Sequence, residues 1–225
     1  MILFFDTETT GLVDFKASPA SVNQPHLVQL GCILSEDNRE EISRLSLTVK
    51  PEGYEIPDNM VHGITNAMAL KGGIRLVNVV NLFANLCDTA DLIVCHNYKF
   101  DSIVMQAECH RIGVRDPFLT KKTFCTMLES TSVCCIPAKW NKGYKWPKLE
   151  EAYEFFFNTS MEGAHNALCD VEATKKIFFA LLHKNTIVER DGAGTPSHIT
   201  QSNKPYPSVN VGGIDNPSHI ITPMH

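Results

Sequence analysis

The sequence predicts an α/β domain with a mixed sheet, and three observations support this prediction. Apolar β-prone runs fill much of the first fifty residues, helical periodicity alternates with a further short apolar run, and the last strong pattern is helical. This order favours a sheet that opens with an antiparallel meander. With 225 residues, 44% of them hydrophobic, and a net charge of -5, the chain has room for one domain with a large core, and wholesale disorder is excluded.

The first three elements are predicted to be adjacent strands. Residues 2–5, 26–34 and 45–49 are apolar and β-prone, and turn-forming stretches separate them. Residues 74–87 then predict a helix, with residues 92–95 as a short buried strand after it. A helix between two strands is the unit that connects parallel strands. The predicted buried face of this helix consists of Val77, Val80, Ala84 and Cys87.

Three further helices complete the pattern. Residues 100–112 repeat the apolar side chains of Ile103, Val104 and Ala107 at helical spacing, and another helix begins near Lys148. The last helix covers about residues 166–183, with Asn166 as its N-cap. Its predicted buried face consists of Leu168, Val171, Phe178 and Leu181.

The composition changes after about residue 187. Five of the twelve prolines and four glycines lie there, and no periodic apolar pattern continues. Such a stretch buries too little surface to offset its ordering entropy. We therefore predict a domain over residues 1–186 and a tail over residues 187–225 that is flexible or docked on a partner.

Composition also limits the cellular setting. No apolar run approaches the roughly 18 residues that cross a bilayer, and the start of the chain does not resemble a secretory leader. Eight cysteines without paired zinc-ligand spacing predict buried thiols in a reducing cytoplasm. The acidic net charge argues against a protein that coats nucleic acid, but it permits an enzyme with a local basic path.

The first chemical motif, D-T-E-T-T-G, ends the first strand. Because strand side chains alternate between faces, Asp6 and Glu8 point the same way. Two carboxylates about 4 Å apart repel by about 1 to 4 kcal/mol, depending on the effective dielectric constant. Oxygen ligands with no nearby Lys or Arg suit Mg²⁺ or Mn²⁺. The alternative is structural, with Asp6 ending the strand and capping a turn.

Two later segments offer further ionisable groups. Asp101 follows the buried strand at residues 92–95 and would open a helix, where capping is its structural alternative. His165 precedes the last helix and Asp170 lies in its first turns, so both project towards one helix end. A single histidine is more often a surface or core residue than a catalyst. Each of these segments is ambiguous when taken alone.

Together, and in this order, the patterns F-D-T-E-T-T-G-L, H-N-x-x-F-D and H-N-A-L-x-D resemble the DEDDh family of 3'-to-5' exonucleases. This family includes the proofreading exonucleases of bacterial replicative polymerases and ribonuclease T. The resemblance covers about residues 1–184 and extends to the H-G-I turn at 62–64 and the segment 148–153. It implies a ribonuclease-H-like, mixed five-stranded sheet, with an antiparallel meander and parallel strands, flanked by helices.

The resemblance also implies a mechanism. Asp6, Glu8, Asp101 and Asp170 would hold two divalent metal ions, Mg²⁺ or Mn²⁺, and His165 would act as the general base. Four carboxylates would not stay ionised in one cleft without about two divalent ions to balance them. The predicted reaction is hydrolysis of phosphodiester bonds at 3' ends of single-stranded nucleic acid, with DNA favoured, which releases 5'-mononucleotides.

Substrate contacts are predicted from the same motifs. Thr9 and Thr10 offer hydroxyls or amides to the terminal nucleotide, and the H-G-I turn resembles family positions that pack the terminal base. Phe100 fits a substrate contact and core packing equally well. The residues predicted to contact the substrate are Thr7, Thr9, Thr10, His62, Ile64, Asn97, Phe100, Lys142 and Lys145.

Residues 139–148 are predicted to bind along single-stranded nucleic acid. They interleave four lysines with three aromatic residues, including both tryptophans of the chain. Lysines neutralise phosphates and aromatic rings stack on bases. The alternative is a solvated loop that its tryptophans anchor to the domain.

The motifs leave the substrate and the partners open. An RNA-trimming exoribonuclease of the same family is one alternative, because a metal site does not read the sugar. The other is a polymerase-associated proofreading or tethering subunit in DNA replication or repair. A homodimer is also compatible with the sequence, and no membrane partner is expected.

Overall fold

The computed structural model describes residues 1–58, 60–139 and 142–188, with side chains up to residue 183. In this part of the chain, one five-stranded sheet has the order β3-β2-β1-β4-β5. The strands are β1 (Ile2–Thr9), β2 (Leu27–Ser35), β3 (Glu41–Thr48), β4 (Leu92–Cys95) and β5 (Lys122–Cys125). The helices are α1 (Asn66–Gly72), α2 (Leu76–Thr89), α3 (Tyr98–Ile112), α4 (Thr126–Cys134), α5 (Leu149–Phe157) and α6 (Ala167–Val188). None of these helices is both long and apolar enough to cross a membrane.

The strand directions confirm the predicted mixed sheet. β1, β2 and β3 form the antiparallel meander, whereas β4 is parallel to β1 and β5 is parallel to β4. β1 is longer than the apolar run that predicted it, since residues 6–9 continue to pair with β2. The D-T-E-T motif is therefore part of the strand and not of a turn.

β1 divides its side chains between two cores. Leu3 and Phe5 belong to the core under α2 and α3, and Ile2 and Phe4 belong to the core under α6. The Phe4 ring meets Phe178 of α6 edge-on, at 5.4 Å between centroids. The even-numbered side chains of β1 thus face α6, and this alternation continues into the D-T-E-T motif.

Several predicted elements differ in detail. The buried face of α2 consists of Val79, Val80, Phe83 and Cys87, so the predicted face that included Val77 and Ala84 was wrong in part. The Phe83 ring sets this rotation because it packs 5.1 Å from the Phe5 ring. The resemblance implied a fifth strand, but the sequence did not locate β5, because it has only four residues and its first two are not buried. The helices α1 and α4 were not predicted.

The predicted tail lies almost wholly outside the described residues. α6 continues to Val188, two residues beyond the predicted boundary at residue 186. Residues 189–225 are not described, so the tail remains a prediction.

Candidate active site

Four carboxylates from three elements converge at one end of the sheet. Asp6 and Glu8 come from β1, Asp101 from α3 and Asp170 from α6. Oxygen atoms of Asp6, Glu8 and Asp170 lie within 4.8 Å of one another. Asp6 lies within the same distance of Asp101 and of the Cys95 sulfur. Asp6 is therefore the member that joins the two groups.

A glycine in β2 allows α6 to approach Asp6. Gly31 pairs with Asp6 across the sheet, and a Cβ at Gly31 would stand 2.4 Å from the carbonyl oxygen of Ala167. Only a residue without a side chain fits that gap. The first turn of α6, which carries Asp170, can therefore rest directly on the strand beside Asp6.

Hydrogen bonds fix the start of α6 in this position. Gln29, which pairs with Glu8 in the sheet, accepts the N–H of Ala167 at 3.1 Å. The Asn166 side chain accepts the N–H of Leu168 at 3.1 Å, as predicted for an N-cap. The register of β2 against β1 thus sets where Asp170 stands relative to Glu8.

Asp101 reaches the site from the opposite face of the sheet. Thr7 faces α3, and both its N–H (3.0 Å) and its hydroxyl (2.6 Å) donate to Oδ1 of Asp101. The Cys95 thiol donates to Oδ2 at 3.1 Å. Asn97, with a left-handed φ of 69°, occupies the N-cap position of α3. Asp101 is therefore not the cap of its helix, and its buried carboxylate is aimed at the end of β1.

Burial and mutual repulsion raise the pKa values of the strand carboxylates. Burial raises the pKa of Asp6 well above its usual range, and Asp101, Asp170 and Glu8 add to the effect. Burial, followed by repulsion from Asp170 and Asp101, raises the pKa of Glu8 to about 7. Both groups therefore resist ionisation unless positive charge is supplied.

The two helix carboxylates behave in the same way. Burial and then repulsion from Glu150 raise the pKa of Asp170 to about 7, although the backbone N–H of His165 partly offsets the rise. Burial raises the pKa of Asp101 to about 6, against the hydrogen bonds from Thr7 and Cys95.

The donor set fits a hard divalent cation. Within the described part of the chain, no Lys, Arg or His forms an ion pair with any of the four carboxylates. The ligand atoms are oxygens, which suit Mg²⁺ or Mn²⁺ better than softer metals.

His165 lies on the loop that leads into α6. Its backbone N–H bonds to the Asp170 carboxylate, its φ is 66°, and the residue is exposed. A left-handed conformation is uncommon outside glycine, so this loop follows a constrained path. The imidazole thus belongs to a residue that adjoins the carboxylate cluster and is open to solvent.

The threonines after Glu8 bond within the chain. The Thr9 hydroxyl donates to the carbonyl of Gly11 at 2.6 Å. The Thr10 hydroxyl accepts the N–H of His26 at 2.9 Å, and the Thr10 N–H donates to the His26 carbonyl. These bonds hold the strand end in shape, and the predicted substrate contacts of both residues stay predictions.

The H-G-I turn lies beside the first motif. His62 Nδ1 accepts the N–H of Ile64 at 3.0 Å, and Ile64 packs against a small core of Val28, Ile56 and Ala69. Burial lowers the pKa of His62, and an interaction with the Thr9 carbonyl opposes this shift. The turn that the sequence associates with the terminal base is thus next to the strand that carries Glu8.

The remaining side chains predicted to contact the substrate differ in burial and in ion pairing. Phe100 is partly buried against the α2–α3 core. Lys142 is exposed, whereas Lys145 Nζ lies 2.7 Å from Oε2 of Glu151. The charge of Lys145 is therefore already paired.

Sequence reasoning missed His96 as a structural link. It is buried, and burial lowers its pKa to about 4. Nδ1 lies 2.9 Å from the Thr126 hydroxyl, and Nε2 lies 3.1 Å from the Pro147 carbonyl oxygen. Because a carbonyl only accepts, Nε2 carries the proton and Nδ1 accepts from Thr126. The motif letters H-N marked this residue, but only its contacts show that it ties the segment before α5 to the sheet.

Comparison with known proteins identifies relatives of this arrangement. The exonuclease family model RNase_T matches residues 3–178. An uncharacterised exonuclease, CP81, of Escherichia phage 186 is 27% identical over 184 residues, which cover 80% of this chain and 87% of that protein. A PolC-type DNA polymerase III of Lacticaseibacillus paracasei is 28% identical over 86% of this chain but only 13% of the polymerase.

Solved structures agree on the fold. Exonuclease I of E. coli, in a crystal structure with a dT13 oligonucleotide, superimposes with a TM-score of 0.64 at 20% identity. The match covers 84% of this chain and 42% of exonuclease I. The chain thus has the fold of one part of that longer enzyme, and the predicted ribonuclease-H-like sheet is confirmed.

Proposed function

Given that the chain belongs to the RNase_T exonuclease family, as its motifs predicted, we propose that it is a metal-dependent 3'-to-5' exonuclease acting on single-stranded ends. The observation that carries the proposal is the convergence of Asp6, Glu8, Asp101 and Asp170, none of which forms an ion pair with a Lys, Arg or His among the described residues. Such a cluster is costly to bury unless it binds positive charge. The proposed products are 5'-mononucleotides.

The four carboxylates would hold two divalent ions, Mg²⁺ or Mn²⁺. When bound, such ions supply charge neutralisation and Lewis-acid assistance to the attack of water on phosphorus. Asp6 is the residue best situated to serve both ions, because it belongs to both groups of ligand atoms. Thr7 and Cys95 act by orienting Asp101, so their role is positional.

His165 acts as the general base in this proposal. An exposed imidazole beside the carboxylate cluster is free to accept a proton from the attacking water. The hydrogen bond from its backbone N–H to Asp170 keeps its loop next to the site. General-base catalysis usually contributes about 10² to 10⁴-fold to the rate.

The 3' end of the nucleic acid would be recognised beside β1. Thr9 ends β1 and Thr10 follows it, whereas Thr7, the third threonine predicted to contact the substrate, donates both its N–H and its hydroxyl to Asp101. The His62 side chain interacts with the Thr9 carbonyl, so the H-G-I turn lies next to this end of β1. Asn97 and Phe100 form the start of α3, close to Asp101. This surface suits stacking and backbone contacts, which tolerate any base sequence.

Single-stranded DNA is the proposed substrate. The dT13 complex of exonuclease I and the relationship to a DNA polymerase support this choice. An RNA-trimming enzyme and a polymerase-associated proofreading or tethering subunit are the alternatives, the latter favoured by the PolC relative. We place the protein in the cytoplasm, since its eight cysteines are thiols and not disulfides. The prediction that all eight are buried was wrong for Cys135, which is exposed, and for Cys169, which is half-buried.

A digestion series tests the proposal. Single-stranded DNA, duplex DNA with a recessed 3' end and RNA, each labelled at the 5' end, are incubated with Mg²⁺ or with EDTA. We expect the single-stranded DNA to shorten progressively from its 3' end in Mg²⁺ only. Immediate release of the labelled 5' nucleotide, or equal digestion in EDTA, would contradict the direction or the metal dependence. Faster digestion of RNA would favour the ribonuclease alternative.

A further inference from the structure

A short hairpin stands between α4 and α5, and we name its described residues, 136–139 and 142–148, the lysine hairpin. Pro137 and Tyr144 pair as an antiparallel bridge. The Ala138 N–H donates to the Gly143 carbonyl at 3.1 Å, and the Lys145 N–H donates to the Ile136 carbonyl at 2.9 Å. The two arms are therefore held together by backbone hydrogen bonds.

The base of the lysine hairpin is fixed next to the candidate active site. The Pro147 carbonyl accepts a hydrogen bond from His96, which directly follows Cys95, the thiol donor to Asp101. On the other side, Lys145 is ion-paired with Glu151 of α5. The lysine hairpin is thus anchored to α5 and to His96, the residue next to Cys95, whose thiol holds Asp101.

The charge of the lysine hairpin contrasts with that of the chain. It contains four lysines and no carboxylate, in a protein of net charge -5. Lys145 is paired, but Lys139, Lys142 and Lys148 are exposed. No ion pair joins these three lysines to the acidic cluster in the described structure. A strand of phosphodiesters whose end enters the acidic cluster would be complementary to such a basic approach.

Two large aromatic rings are also exposed on the lysine hairpin. The exposed fractions are 54% for Tyr144 and 65% for Trp146, whereas Phe4, Phe5 and Phe83 are fully buried. Residues two apart on an extended segment share a face, and the one between them points away. This agrees with Lys145 turning to Glu151 while both rings remain in solvent.

From these observations we infer that Tyr144 and Trp146 stack on unpaired bases, while Lys142 and Lys148 contact phosphates, 5' of the bond that is cleaved. The inference rests on the proposed exonuclease function and specifies its substrate as an unpaired strand several nucleotides long. Paired bases are already stacked in a duplex and cannot use the rings. Lys145 serves as the anchor of the lysine hairpin.

Binding without cleavage tests the inference separately from catalysis. Affinity for a 5'-fluorescent oligothymidylate of about twelve nucleotides is measured by anisotropy in EDTA, for the wild type, Trp146→Ala and Tyr144→Ala. We expect about 5- to 150-fold weaker binding for each variant, the usual effect of losing one stacked base. The wild type should bind an abasic strand of equal length and charge about as weakly as the double variant binds oligothymidylate.

Matched variants separate stacking from misfolding. Trp146→Phe keeps a ring and should recover most of the affinity, and Phe155→Ala removes an aromatic residue that is 44% exposed on α5 and should leave affinity unchanged. The inference would be overturned if the Tyr144→Ala/Trp146→Ala double variant bound oligothymidylate as tightly as the wild type does. It would also be overturned if the wild type bound abasic and normal strands equally well. Loss of cleavage with intact stacking would instead count against the proposed catalytic function alone.

Discussion

Two buried carboxylates on α3, seven residues apart, are treated in opposite ways. Oε1 of Glu108 accepts one hydrogen bond from the Leu27 N–H at 2.7 Å and pairs with the Arg111 guanidinium at 2.9 Å. Asp101 is held by neutral donors only, from Thr7 and Cys95, and lies beside a further carboxylate, Asp6.

We interpret Glu108 as a structural carboxylate and, under the proposed function, Asp101 as a functional one. At Glu108 the chain provides its own cation, and the pair fixes Leu27, which is the partner of Thr9 at the bulge of β1. At Asp101 the same helix adds negative charge to a cluster that already has a surplus. The fold does pair a buried acid with a basic side chain at Glu108. We therefore infer that the carboxylate cluster, which has no such partner among the described residues, is neutralised by cations from solution.

The largest expected effect comes from removing charge at the centre of the cluster. Asp6→Asn should lower the rate of cleavage roughly 10³-fold or more, since losing one member of a catalytic unit disables the whole. The metal-free variant should not be less stable, because a buried repulsive charge has been removed. Single-turnover assays and thermal melts measure the two quantities. An active variant, or one that is inactive because it is unfolded, would contradict this prediction.

The next largest effect concerns His165, the proposed general base, and not the carboxylate cluster. His165→Ala should slow cleavage by about 10² to 10⁴-fold, while metal-dependent stabilisation persists because all four carboxylates remain. Rates measured across pH, together with melting temperatures with and without Mn²⁺, separate these outcomes. If the variant lost its response to Mn²⁺, the histidine would have to be assigned a role in metal binding.

Glu108 should show the reverse behaviour. Glu108→Gln leaves the Arg111 charge unpaired in a mostly buried position, so we expect a loss of roughly 3 kcal/mol in the free energy of unfolding. Turnover per folded molecule should stay within severalfold of the wild type. Denaturant unfolding and active-site-normalised rates give both values. A stable but inactive Glu108 variant would end the distinction drawn between the two carboxylates.

The smallest effect is the pH dependence of the metal-free protein. The pKa values of Glu8 and Asp170 are about 7 in the folded state, against about 4.3 and 3.9 for unperturbed Glu and Asp. Between these values the folded state binds more protons, so these groups make stability fall as the pH rises from about 4 to about 7.

Melting temperatures in EDTA and in Mg²⁺ measure this dependence. Mg²⁺ should raise the melting temperature more at neutral pH than near pH 5, where protons compete for the same oxygens. The fall in stability with rising pH should be weaker in Glu8→Gln, the matched control. An identical pH response in the variant and the wild type would show that Glu8 does not contribute in this way.

Much of the fold could be predicted from local patterns. The alternation in β1, the N-cap Asn166 and the periodicity of α6 are properties of short segments, so the sequence reveals them directly. β5 was missed because four residues with a half-exposed start carry little periodic signal. The buried face of α2 was misjudged because the position of the Phe5 ring, in another element, decides which side is covered.

The sequence predicted the four carboxylates of the candidate site but not the residues that hold them in position. The resemblance of the acidic motifs to the DEDDh family pointed to Asp6, Glu8, Asp101 and Asp170. Gly31 and Gln29 look like ordinary strand residues, and only the three-dimensional register places them under α6. The involvement of Lys145 with Glu151 was equally hidden, since the sequence cannot show which of several lysines is already paired.

The central claim, that the carboxylate cluster binds cations from solution, is tested most directly by calorimetric titration of Mn²⁺ into the protein near neutral pH. We predict saturable binding of two ions per chain, which is weakened or reduced to fewer ions in Asp6→Asn and unaltered in His165→Ala. Absence of saturable heat in the wild type, or the same binding in Asp6→Asn, would contradict it.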